Sequence, residues 1–230
     1  MGANLGTTIT AWILSLSGIE GESVFVQLLK PSSFSPVLAM VGVSFLLFSK
    51  SNKRRDVGTI LLGFSILMFG MQTMSGAVAP LADIPEFTRI LTLFESPILG
   101  VLTGAVITAI IQSSSASVGI LQALSATGSV TFSSAIPIIL GMNIGACIIT
   151  LLSSVGTSRE ARRTALVHLY FSLIGKVLVT ALFMLANAAF RFSFMETSVN
   201  PVSIAVIHSA LNLISIIVML PFMRQLERLA

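Results

Sequence analysis

Charge is what this chain has least of. Of its 230 residues, 10% are Asp, Glu, Lys or Arg, against 54% that are apolar. Soluble domains carry about a quarter charged residues, so the composition belongs to an integral membrane protein. Cysteine is nearly absent. Cys147 stands alone inside an apolar run, which excludes a disulfide framework and a thiolate metal site within the chain. The apolar runs hold no carboxylates for an intramembrane aspartyl dyad. There is no Gly-x-Ser-x-Gly elbow, so a serine enzyme using Ser113–Ser115 with His168 or Lys176 has little support. The net charge of +4 is not a nucleic-acid signal, because the basic residues sit in short clusters between apolar runs, as cytoplasmic loops do. Met1 is followed at once by a small polar motif, without a basic segment, and no signal peptide is read there.

What the chain has in abundance is apolar runs of bilayer length, so a single anchored globule is excluded. Residues 1–17 are short for a span, which needs roughly 20 residues. Residues 18–35 read as a loop, 36–49 cross with a few flanking residues, and 57–79 form a full span. Residues 81–96 mix Asp83, Glu86, Arg89 and Glu95 with apolar residues, as an interfacial helix does. Residues 97–127 are too long for one helix and polar at the centre, which predicts a hairpin turning back near Gln112–Ser115. Residues 135–155 enter again with an expected interruption at Gly141–Gly145, and spans 165–191 and 202–222 follow. With the basic clusters at 50–55, 159–163 and 224–228 inside, every one falls on one side. The opposite loops then hold Glu20, Glu22, Asp83, Glu86, Glu95 and Glu196 against Lys30, Arg89 and Arg191.

The most informative stretch is 104–150. It is apolar, yet broken by Gln112-Ser113-Ser114-Ser115 and by Gly141-Met142-Asn143-Ile144-Gly145. Lipid offers no hydrogen bonds, so polar or irregular backbone at that depth needs cover from protein or a water-filled cavity. Interrupted segments of this kind point to a transporter binding site. Serine hydroxyls and a glutamine amide can replace the hydration of an anion. A helix starting at the break would aim free N–H groups and a positive dipole end at it. Freed carbonyls, with Asn143, Asn4, Thr7 and Thr8, suit a hard cation such as sodium. No arginine lies in these segments, which leaves mobile cations to neutralise a desolvated anion. Lys176 is read either as an intramembrane charge near a pathway or as a snorkelling side chain.

A repeat supports the same reading. Gly2, Asn4, Gly6 and Ile9 match Gly141, Asn143, Gly145 and Ile148 at one offset. In the layout above the two copies run in opposite directions, as inverted repeats do. A shorter echo sets His168, Ser172, Leu173 and Ile174 against His208, Asn212, Leu213 and Ile214.

Three motifs, QSSS at Gln112–Ser115, the paired GANLGTT and GMNIGA segments, and REARRTALVH at Arg159–His168, resemble the type II sodium-dependent phosphate cotransporter family, in its bacterial branch. The resemblance covers nearly the whole chain. It implies an all-α, multi-span integral membrane transporter with inverted repeats and a re-entrant helical hairpin, moving inorganic phosphate with sodium as the coupling ion. The expected organisation is 1–49 as the end of a first, N-terminally incomplete repeat, 50–96 as basic loop, span and interfacial helix, 97–222 as the second repeat, and 223–230 as a tail. The first QSSS has no counterpart here, so the chain is expected to be a fragment or to begin at an internal methionine, ahead of a half-length protein that dimerises. The expected phosphate- and sodium-binding residues are Gln112, Ser113, Ser114, Ser115, Asn143, Asn4, Thr7 and Thr8. No cofactor, resident metal, nucleic acid or enzymatic activity is expected. The lipid bilayer of the plasma membrane is the setting, and a homo-oligomer and a PhoU-like regulatory domain or protein are left open as partners. The alternatives are export, another small oxyanion without strict sodium coupling, and a non-transporting scaffold.

Overall fold

Runs of Leu, Ile, Val and Ala can stand in lipid only if their backbone bonds close within the segment, and helices meet that condition. In the computed structural model, which describes residues 2–18, 30–86 and 93–229, the chain is helical almost throughout. The helices are α1 (Gly2–Ser15), α2 (Pro31–Phe48), α3 (Asn52–Val78), α4 (Pro97–Ile111), α5 (Ser114–Ser125), α6 (Phe132–Ser153), α7 (Arg159–Phe190), α8 (Pro201–Met219) and α9 (Met223–Leu229). By length and composition α3, α6, α7 and the stretch Pro201–Glu227 can cross a membrane. Large apolar side chains cover the outside, with Phe48, Ile98 and Ile110 81%, 73% and 75% exposed, the surface a protein offers to lipid tails. The acidic loop expected over 18–35 and the interfacial helix expected over 81–96 fall partly outside the described residues.

The expected hairpin is present. α4 has 15 residues and α5 has 12, roughly 22 and 18 Å of helix, and neither spans a core of about 30 Å. Gln112 takes a left-handed conformation with φ 59°, which ends α4 and reverses the chain. The outer ends of the pair meet again. Thr131, beyond α5, donates to the Glu95 carboxylate, just before α4, at 3.3 Å.

Glycine decides the closest helix contact. Gly100 and Gly104 of α4 lie against Pro137, Ile138 and Met142 of α6, while Gly141 and Gly145 of α6 lie against Val101, Ala105 and Thr108 of α4, each glycine pair spaced four residues apart and so on one helix face. A Cβ at Gly104 would collide with the Ile138 carbonyl, and one at Gly141 with the Val101 carbonyl. This corrects the expected interruption at Gly141–Gly145: α6 runs unbroken from Phe132 to Ser153. The glycines there let two backbones approach, the familiar small-xxx-small role. Gly42 of α2 and Gly58 of α3 meet in the same way.

α5 stands at the centre, in contact with α1, α3, α4, α6 and α8. Its Gln122 is fully buried and donates to the Ala11 carbonyl of α1 at 2.9 Å and the Pro201 carbonyl of α8 at 3.0 Å. At one end of the bundle, Val199 donates to the Val130 carbonyl at 2.8 Å, Phe132 donates to that of Thr197 at 3.1 Å, and Gly18 lies against Pro201. At the other end, Arg163 donates to the Glu227 carbonyl at 3.2 Å.

Candidate functional site

The site begins at the break itself. A left-handed Gln112 frees Ser113 to cap α5: its Oγ accepts the Ala116 N–H at 3.2 Å. Its carbonyl accepts from both the amide and the hydroxyl of Ser117, each at 3.0 Å. The first N–H groups of any helix lack intrahelical acceptors, so those of Ser114 and Ser115 stay available, at the positive end of the dipole. α1 and α5 cross, with Gln122 beside Ala11 and Gly119 beside Leu14, so that Thr10 and Leu14 of α1 come to the start of α5.

A cavity of about 470 Å³ opens between α1, α3 and α5. Ser113 and Ser115 line it together with Thr10 and Leu14 of α1 and Met71 and Met74 of α3. Three hydroxyl-bearing residues thus border an otherwise apolar space, the composition of a small-ligand site. Gln112 lies exposed at the mouth of the turn, and Ser114 is half-buried.

The remaining expected residues are placed differently. Thr7 and Thr8 bond back to the carbonyls of Ala3 and Leu5, at 3.0 and 2.6 Å. Asn143 is buried in α6, and its amide donates to its own helix at Ile139, 2.8 Å away. It is not among the residues lining the serine cavity. Asn4 is half-buried on α1, and its carbonyl faces the Asn212 amide at 3.4 Å. Lys176 does not snorkel. It is fully buried and donates to Asn212 Oδ1 at 2.7 Å. His168 meets the Thr150 hydroxyl at 3.2 Å, near Cys147. Trp12 directs its indole N–H to the Ser209 hydroxyl at 3.0 Å.

Sequence reasoning missed the weight of Asn212, Gln122 and Ser172, all fully or almost fully buried. The one signal was their polarity inside apolar spans. Their partners are remote in sequence and invisible there.

The Na+/Pi-cotransporter family matches residues 1–76 and 77–219. YjbB of Escherichia coli strain K12, named as a candidate inorganic phosphate export protein, is 27% identical over 230 residues, which is 99% of this chain and 39% of YjbB. The uncharacterized protein YqeW of Bacillus subtilis strain 168 is 29% identical over 180 residues, covering 78% of this chain and 54% of YqeW. The human sodium-dependent phosphate transport protein 2B is 34% identical over 127 residues, covering 49% of this chain and 18% of that protein. The chain thus spans about two fifths of the length of the phosphate export relatives it matches. No solved structure matches it.

Proposed function

The chain belongs to the Na+/Pi-cotransporter family, and on that premise we propose that it carries inorganic phosphate across the plasma membrane in a sodium-coupled step. The observation that carries this reading is the break at Gln112–Ser113. It opens the N-terminus of α5 onto a cavity between apolar helices. Phosphate oxygens accept from the hydroxyls and free N–H groups of Ser113, Ser114 and Ser115, and from the Gln112 amide. Sodium takes oxygen ligands from the Asn4, Asn143, Thr7 and Thr8 region and neutralises the anion as both enter. α1 and α6, which carry the two Gly-x-Asn-x-Gly segments, run in opposite directions, and this supports inverted repeats around the site.

One observation favours a second reading, phosphate export. The relatives that align with 99% of this chain are those named for export. The ligand and the site are the same in both readings, and direction is the only difference.

The test is equilibrium binding of labelled phosphate to the purified chain in sodium and in choline at equal ionic strength. Tight binding in sodium, lost in Ser115→Ala, supports the proposal. Equal binding in choline refutes sodium coupling, and sulfate displacing phosphate at equal concentration refutes the choice of anion.

A further inference from the structure

The binding element described above uses nothing from α7 and α8, yet these helices hold the most polar buried cluster among the described residues. Lys176 is fully buried, and its Nζ donates to Asn212 Oδ1 at 2.7 Å. That bond fixes the Asn212 amide. Its Oδ1 accepts from the lysine, so its Nδ2 must be the group facing His208 Nε2 at 3.3 Å and the Asn4 carbonyl at 3.4 Å. His208 Nε2 is then an acceptor, and the imidazole proton sits on Nδ1. That Nδ1 is buried without an acceptor. The Asn4 Nδ2 is likewise buried and unpartnered, and the Ser172 hydroxyl lies against the buried Cys147 thiol. Ser172 precedes Lys176 by one helical turn, on the same face of α7.

The cluster is one-sided in charge. It holds one cationic group and idle donors. α1, α4, α5, α6 and α8 contain no carboxylate, and α7 has only Glu160, in its first turn. A buried cation and unsatisfied donors are both unfavourable in an apolar surround unless an anion answers them. Asn4 belongs to the same helix as Thr10 of the serine-lined cavity and precedes it by roughly 9 Å. The two polar regions are therefore neighbours along α1.

We propose that Lys176, with Asn212, His208, Asn4 and Ser172, forms a fixed cationic site that takes one oxyanion face of the transported phosphate. This rests on the phosphate reading above and adds to it a resident counter-charge. Sodium then neutralises only the charge that Lys176 leaves, and binding retains a sodium-independent component.

The test measures inorganic phosphate binding to the purified chain, with circular dichroism melting as the fold control. Two variants attack the charge from opposite sides. Lys176→Met removes the ammonium and keeps the length. Asn212→Asp keeps the ammonium and sets a carboxylate beside it. The expected result is that both variants fold, that Lys176→Met melts at or above the parent, and that each binds phosphate about tenfold or more weakly. Phosphate should also cease to raise the melting temperature of either. Unchanged phosphate affinity in either folded variant overturns the proposal and leaves a structural lysine. A folded parent that binds no phosphate even in sodium overturns the phosphate reading itself, and the Lys176 site with it.

Discussion

The sharpest contrast the structure offers is between two copies of one motif. Gly141 opens GMNIG and Gly6 closes GANLG, and their surroundings differ. A Cβ at Gly141 would strike the Val101 carbonyl and come within 2.9 Å of the Ala105 amide nitrogen, both rigid backbone. A Cβ at Gly6 would meet nothing within 4 Å. In a helix interior, Gly→Ala is favourable by about 1 kcal/mol, and both variants share that gain. Gly141→Ala alone adds overpacking, which costs about 1–3 kcal/mol. The two variants should therefore differ by about 1–3 kcal/mol. For a chain of this size that is about 2–12 °C in melting temperature. The assay is built in: Cys147 is unique and fully buried, so a thiol-reactive fluorophore reports unfolding of the detergent-solubilised protein. Gly6→Ala should melt at or above the parent and Gly141→Ala at or below it. Equal shifts, or a Gly141→Ala variant more stable than the parent, would refute the close α4–α6 contact.

Other substitutions separate shape from chemistry at the break. A β-branched residue in the left-handed conformation of Gln112 costs about 1–2 kcal/mol, so Gln112→Val should lower the melting temperature while Gln112→Gly preserves it; both should lose phosphate binding in a filter assay. Ser113→Asp keeps the cap of α5 and should melt like the parent, but its carboxylate repels phosphate and abolishes binding. Ser113→Ala should lose about 0.5–2 kcal/mol of stability with the cap, measured by chemical denaturation. Gln122→Leu removes both bonds to the Ala11 and Pro201 carbonyls, at about 1 kcal/mol each, and should lower the thermal midpoint by several degrees.

The hairpin was legible because its signal is an energetic contradiction: four consecutive polar residues, Gln112–Ser115, cannot sit in lipid on a continuous helix without cover. Gly141–Gly145 misled for a related reason. Glycines around an asparagine resemble a break, but their spacing of four also places them on one helix face. Gly100 and Gly104 have that spacing and are the partners α6 packs against. The polar cluster was out of reach. Lys176 and Asn212 lie on different helices, and nothing in either helix names the other. Likewise Gln122 looks like any polar residue in a span until Ala11 and Pro201 are seen beside it.

Gradient-driven flux decides whether phosphate and sodium move together. The protein is reconstituted into proteoliposomes, and labelled phosphate uptake is followed under an inward sodium gradient and under an equal choline gradient, with Gln112→Ala reconstituted in parallel. The expected result is accumulation in sodium, little in choline, and none for the variant. Equal uptake in both gradients, or uptake by Gln112→Ala equal to that of the parent, would contradict it.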